Sequence, residues 1–249
     1  MHRLLATTQE LARERPALST EALRHLKVLR PKDGEAVELF DGRGSTRLCR
    51  YDARDRALTA AGPVETRPAR RRGVTLFACV TKGSRWDWTV EKATELGVAR
   101  IVPVLSERTI VRIGADERAA KRARWEKIAE EAARQSDAAW LPEIAEPVAF
   151  PEALAMAAKT VCFVGALTEP KSEPLLTALE RQLAAARDGY ALFVGPEGDF
   201  TPGELAALMQ VAVPTSFGDA ILRAETAAIY GLAVLTAAID AATAQGGEP

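Results

Sequence analysis

Two glycine-bearing segments carry the residues best suited to chemistry. The first reads Phe193-Val194-Gly195-Pro196-Glu197-Gly198-Asp199-Phe200, and the second Ser216-Phe217-Gly218-Asp219-Ala220-Ile221-Leu222-Arg223-Ala224-Glu225-Thr226. Each follows an apolar, strand-like run and precedes a helix-like stretch. Glycine lacks a side chain and tolerates positive φ, so backbone at such loops can approach a ligand closely. Two loops of this kind at neighbouring strand ends can build one small-molecule site at the edge of a parallel sheet. Neither is a phosphate loop: GxxxxGK[ST] is absent, and GPEGDF is not GxGxxG. Taken singly, each is a strand-to-helix turn; the pairing, with Arg223 and Glu225 at a helix entry, is less generic.

The scaffold that must hold these loops follows from patterning. Residues 74–80, 101–105, 160–164, 190–194 and 213–217 read as apolar strands. Between them lie helical stretches at 86–96, closed by Gly97, at 116–136, at 173–186 and at 202–211, with a final helix at 223–244. Thr201 is placed to cap the helix that Pro202 opens, with Glu204 supporting its first turn. Strands alternating with helices imply an α/β domain with a parallel sheet. Upstream the pattern is different: a helix at 20–30, a strand at 37–40, a hairpin signal at Asp41-Gly42, and weaker strands at 47–51 and 57–60. The Pro- and Gly-flanked charge run Arg67–Gly73 separates a small β-rich domain, 1–68, from a larger one, 74–249. Residues 245–249 are expected to fray.

Composition narrows the class. The chain has 249 residues, 47% hydrophobic and 27% charged, as in a soluble globular protein. Cys49, Cys79 and Cys162 are far apart and form no CxxC, which argues against a zinc site or a disulfide scaffold and fits a reducing cytoplasm. His2 and His25 lack ligand-spaced partners, so no metal is expected. The first fifteen residues carry charges and no apolar core, unlike a signal peptide. The apolar stretch between Glu225 and Asp240 reads as a buried helix rather than a membrane span. Net charge is −1, yet residues 1–72 hold 16 basic and 10 acidic side chains (+6), against 17 and 24 (−7) in the rest. A basic N-terminal part suits a polyanionic partner, although ordinary surface charge explains it equally well. The four tryptophans read as core residues.

The combined motifs resemble the bacterial 16S ribosomal RNA uridine N3-methyltransferases, members of the SPOUT class. The resemblance rests on the GPEG loop and on Gly218…Ile221-Leu222-Arg223-x-Glu225-Thr226-Ala227. It rests also on Lys82-Gly83, on Lys92-Ala93-Thr94-Glu95-Leu96-Gly97-Val98 with Ile101-x-Pro103, and on Glu107-Arg108. In the N-terminal part, His25-Leu26-Lys27-Val28-Leu29-Arg30 and Glu38-Leu39-Phe40-Asp41-Gly42 are similar to that family's PUA-like RNA-binding module. Nearly the whole chain is covered, in order.

The resemblance implies a SPOUT α/β domain with a deep trefoil knot, S-adenosylmethionine as cofactor, and 16S rRNA or the small ribosomal subunit as partner. It implies a homodimer through the last helix and no membrane. Gly195, Gly198, Gly218 and Ile221 would hold the cofactor through backbone groups. Pro196, Glu197 and Phe217 belong to the same loops, and Leu167 and Leu222 would pack on it. Uridine N3 is a poor nucleophile while protonated, so Arg223 is the expected stabiliser of the charge left when the proton departs. Glu225 either accepts a proton, orients Arg223, or is a first-turn acid that stabilises the helix dipole. Arg3, Lys27, Arg30, Lys82 and Arg108 are the expected RNA contacts, with Arg85 and the Arg70–Arg72 run as further candidates; exposed bases are also commonly just solvated.

Three departures from the family pattern stand out. Asp199 replaces the second glycine of GPEGG. After Ser136, the pattern's Gly-Arg and a further basic residue read Asp137-Ala138-Ala139. Phe217 and Ala224 replace Leu and Thr. An aspartate cannot enter every backbone conformation open to glycine, and lost arginines remove RNA-facing charge. The rival expectation is therefore an RNA-binding or ribosome-assembly factor on a SPOUT fold with weakened or lost catalysis.

Overall fold

A computed structural model describes residues 1–69, 73–158, 160–168, 170–183 and 189–244. The Arg70–Arg72 run, the last residues of the helix expected at 173–186, and the tail at 245–249 lie outside the described residues. Contacts divide the chain into two compact units: Met1–Arg70 with Glu130–Leu141, and Arg71–Ala129 with Pro142–Pro249.

The first unit is built on a four-stranded sheet. Its elements are β1 (His2–Leu5), α1 (Thr8–Leu11), α2 (Thr20–Leu29), β2 (Ala36–Phe40), β3 (Ser45–Asp52) and β4 (Ala57–Thr66), with sheet order β1-β2-β3-β4. β1 runs parallel to β2, and the remaining pairs are antiparallel. The expected hairpin forms at Asp41, whose carboxylate accepts from the backbone N–H of Arg43 and Ser45. α2 starts where the Ser19 hydroxyl accepts from Ala22 N–H and stops at Arg30, which turns left-handed at φ 47°. Leu4, Leu11, Leu26, Val37, Leu39, Cys49 and Leu58 form the core. β1 was not foreseen from sequence. Its four residues carry no periodic signal, and its hydrogen-bonding partner stands 35 positions away.

The second unit holds β5 (Val74–Cys79), α3 (Ser84–Glu95), β6 (Arg100–Leu105), α4 (Arg118–Gln135), β7 (Glu143–Ile144), β8 (Val148–Ala149), α5 (Phe150–Ala157), β9 (Val161–Gly165), α6 (Leu175–Gln182), β10 (Tyr190–Val194), α7 (Pro202–Leu208), β11 (Ala212–Thr215) and α8 (Ala224–Ala244). α4 runs on past Ala129 into residues that pack with the first unit. The strands are all parallel, in the order β11-β9-β10-β5-β6-β7, with β8 also on β6. β10 is buried at every position, as a central parallel strand requires. Phe77 and Phe193 stack across β5 and β10 with ring centroids 4.6 Å apart.

The chain leaves β10, crosses to edge strand β11, then returns in α8 to pack on β5 and β10. A deep trefoil requires such a return across the chain's own sheet. α8 is long and apolar enough to cross a membrane, but Ala228, Gly231, Leu232, Leu235 and Ile239 form a buried row along it. Gly231 is needed there: a Cβ would stand 2.5 Å from a Leu192 methyl of β10. α7 begins as expected, with reciprocal Thr201 and Glu204 capping bonds and Pro202 in the first turn.

Candidate functional site

Three strand ends face one cavity. β9 ends at Gly165, β10 at Val194 and β11 at Thr215, and the loops that follow enclose about 920 Å³, within the range of small-molecule sites. The placement is the one expected of a parallel sheet, at the carboxyl ends of its strands. Thr215 Oγ donates to Val164 O at 3.1 Å, tying the edge strand down beneath the cavity.

The glycines earn their positions by geometry. Gly218 has φ +113°, which side-chain-bearing residues rarely adopt, and Ser216 Oγ accepts from its N–H at 3.3 Å. A Cβ on Gly165 would meet the Phe217 ring at 2.6 Å, so that glycine lets Phe217 lie against the end of β9. A Cβ on Gly195 would stand 3.2 Å from Asp199 Oδ1 and 3.3 Å from the Phe200 ring, so the first loop closes tightly on itself.

Most of the sequence-selected residues meet here. Leu167, Gly195, Pro196, Glu197, Phe217, Gly218, Ile221, Leu222 and Arg223 all line the cavity. Leu167 and Ile221 are 64% and 79% exposed, two apolar side chains at an open rim. Gly198 and Glu225 do not line it. Gly198 faces the other way, its carbonyl accepting from Arg108 Nη1 at 2.9 Å. Glu225 sits in the first turn of α8; its Oε2 is sealed from solvent and has no hydrogen-bond partner among the described residues. No bond between Glu225 and Arg223 occurs among the described residues, so the expected orienting contact is not made.

Sequence reasoning missed Lys171 and Asp219 as a pair and Arg85 as a cavity residue. Lys171 Nζ stands 2.6 Å from Asp219 Oδ1, and that hydrogen bond holds the Asp219 carboxyl below its ordinary range. Arg85 Nη2 lies 3.1 Å from Glu197 Oε1. Asp219 was visible inside the second glycine segment; nothing local marked Lys171 as its partner 48 positions away.

Asp199 fits where conformational trouble was anticipated. Its φ is +60°, in the small left-handed region that aspartate and asparagine enter more readily than other side chains. Its Oδ1 accepts from Phe200 N–H at 2.7 Å. The loop therefore keeps the turn a glycine would make and gains a carboxylate at the cavity wall.

The expected RNA contacts divide. Lys27 and Arg30 are exposed on α2, and Lys82 and Arg108 are exposed after β5 and β6. Arg3 must be corrected. Its side chain is 4% exposed, with Nε 2.6 Å from Glu38 Oε2. Nη1 donates to Ala133 O at 2.7 Å, and the Ala138 carbonyl accepts from both terminal nitrogens. The guanidinium also lies 4.5 Å over the Phe40 ring. All three guanidinium nitrogens donate inside the first unit, so it is a core cation rather than a phosphate contact. Trp86 and Trp125 are core residues in edge-to-face contact, whereas Trp88 and Trp140 are about two-fifths exposed (39% and 41%).

The parallel sheet and the loop-built cavity at its strand ends define a SPOUT-class methyltransferase domain, joined to a small β-rich PUA-type unit. An RNA methyltransferase domain family matches residues 68–236, and an RNA methyltransferase PUA domain family matches residues 18–58. The ribosomal RNA small subunit methyltransferase E of Synechocystis sp. is 30% identical over 96% of this chain and 78% of its own length. Its counterpart in Bacillus subtilis is 27% identical over 92% and 93%. A methyltransferase of Legionella pneumophila, solved with S-adenosylmethionine bound, superposes with a TM-score of 0.82 at 28% identity, covering 95% of this chain and 97% of that one. The Neisseria gonorrhoeae ribosomal RNA small subunit methyltransferase E, also solved with S-adenosylmethionine, gives 0.76 at 27%, covering 98% of each. The chain belongs to the ribosomal RNA small subunit methyltransferase E family.

Proposed function

We propose that this protein methylates N3 of a uridine in 16S ribosomal RNA with S-adenosylmethionine as donor. The observation that carries the reading is the single cavity in which both glycine loops and Arg223 converge at the strand ends. Its volume suits a nucleoside-sized ligand; Gly218 holds a positive φ at its wall, and Gly195 lets the first loop close on Asp199 and Phe200. The donor supplies a methyl group already activated on a sulfonium, so the protein's task is alignment.

Backbone of the loops at 195–198 and 216–222 holds the donor, with Leu167 and Leu222 against its apolar parts. Arg223 offers a cation to the charge that appears on the uracil ring when N3 loses its proton. Glu225, one step back from the cavity, acts on the first turn of α8 and so on the approach of Arg223. Uridine N3 lies on the Watson–Crick edge, so the target base must be unpaired or flipped out. Lys27, Arg30, Lys82 and Arg108 supply phosphate contacts whose strength falls with salt.

The rival reading as a non-catalytic assembly factor loses its main motive, because Asp199 preserves the turn it was expected to break. Calorimetric titration separates the two: absence of binding at millimolar S-adenosylmethionine would sink the enzyme reading. Mass-spectrometric mapping of methylated uridine in rRNA, with and without the gene, identifies the nucleotide.

We further infer a cytoplasmic homodimer through α8, supported by Tyr230, which is 43% exposed outside its buried row. Light scattering tests the dimer; a monomeric mass at micromolar concentration would remove it.

A further inference from the structure

Among the described residues, six charged side chains line the cavity: Arg85, Lys171 and Arg223 against Glu197, Asp199 and Asp219. Four of them cancel in pairs, Arg85 with Glu197 and Lys171 with Asp219. The other two, the cation Arg223 and the anion Asp199, have no ion-pair partner among the described residues. Among the described residues the cavity therefore presents one uncompensated charge of each sign.

Their settings differ. Arg223 is exposed, at the entry to α8. Asp199 is half-buried and pinned: Oδ1 accepts from Phe200 N–H, and that oxygen lies where it would stand 3.2 Å from a Cβ on Gly195. The carboxylate is thus held against the first glycine of the loop rather than free to swing into solvent. Where the family pattern has glycine, no such charge exists.

We propose that Asp199 is a charge-selecting residue, favouring the cationic sulfonium of the methyl donor over the neutral thioether of its demethylated product, S-adenosylhomocysteine. The inference rests on the S-adenosylmethionine reading. Donor and product have the same adenosine and amino-acid parts and differ at the sulfur by one methyl group and one positive charge. A carboxylate fixed in the cavity attracts that charge and gains nothing from the thioether. The effect on turnover is weaker retention of product. Arg223, of opposite sign, serves the base that becomes anionic, so each residual charge answers one of the two reacting partners.

The test is the ratio of two affinities, measured by calorimetry with S-adenosylmethionine and S-adenosylhomocysteine on the full chain. Asp199→Asn keeps the shape and the tolerance of left-handed backbone while removing the charge. It should lower the preference for the donor over the product by about fivefold, the equivalent of ~1 kcal/mol. Asp199→Gly, which restores the family pattern and carries no folding risk at φ +60°, should shift the ratio by the same amount. A ratio unchanged within about twofold in both variants overturns the proposal even if both ligands bind well. If the wild-type protein binds neither ligand, the S-adenosylmethionine reading falls and this inference falls with it.

Discussion

Two aspartates stand where the family pattern carries glycine, and the molecule uses them differently. Asp137, just past the end of α4, and Asp199, in the first glycine loop, both have φ +60°. At Asp137 the carboxylate is consumed: Oδ1 lies 3.2 Å from Arg3 Nε, and Oδ2 lies 3.3 Å from Arg67 Nη2. Its backbone carbonyl accepts from Arg67 as well. At Asp199 the carboxylate's one partner among the described residues is the next residue's N–H, and it remains at the cavity wall. The same residue in the same backbone conformation is structural in one place and available for chemistry in the other. The difference lies wholly in whether arginines stand within reach.

The comparison breaks most readily at Arg3. Arg3→Ala strips Glu38 of its buried partner and takes its donor from the Ala138 carbonyl, while Ala133 O keeps the Ala138 N–H, and should cost about 3 kcal/mol in urea unfolding. A loss below about 1 kcal/mol would show that the first-unit charges are not consumed as described. On the cavity side, Arg223→Ala should slow methylation by about 100-fold in single-turnover assays while leaving S-adenosylmethionine affinity within about twofold; a wild-type rate would remove Arg223 from its assigned role.

Smaller effects sharpen the backbone half of the comparison. Asp199→Ala must hold an unfavourable left-handed residue and should destabilise by about 1 kcal/mol, measured by thermal melting. Asp137→Gly relieves the backbone but loses one exposed ion pair, with Arg67, and one with the buried Arg3, which keeps Glu38, so its net change should stay within about 1 kcal/mol. Asp41 gives a third case, a carboxylate consumed by hydrogen bonds. Partial burial pushes its pKa up, but bonds from Thr8 and from the N–H groups of Arg43 and Ser45 outweigh this and hold it below its ordinary value. Such a group stabilises the fold above the unfolded aspartate pKa of ~3.9, and the contribution disappears as pH falls through the lower folded value. The stability advantage of wild type over Asp41→Asn should therefore shrink between about pH 5 and about pH 2; an advantage constant across that range would refute it.

Much of the second unit was legible because its strands are apolar runs in regular alternation with helices. β10 matches its sequence-derived bounds, Tyr190–Val194, since a strand buried on both faces has a continuous signal. α7 was legible from Thr201, Pro202 and Glu204, whose capping chemistry is local. α5 was not: Phe150-Pro151-Glu152-Ala153-Leu154-Ala155-Met156-Ala157 has too few polar residues to show a helical face. The candidate site was legible to the extent that its residues sit in two short segments. Lys171 and Arg85 were not, because their place in the cavity depends on loops from other strand ends.

The sequence by itself determined the α/β alternation, the two glycine loops and their family, because apolar period, caps and motif spacing are properties of neighbouring residues. Only the tertiary structure decided which charges are left over. It buried Arg3 between Glu38 and the end of α4, paired Lys171 with Asp219 and Arg85 with Glu197, and left Asp199 and Arg223 at one cavity with no ion-pair partner among the described residues. Ion pairing acts through space over a few ångströms, and residues 35, 48 or 112 positions apart acquire that distance only when the chain folds.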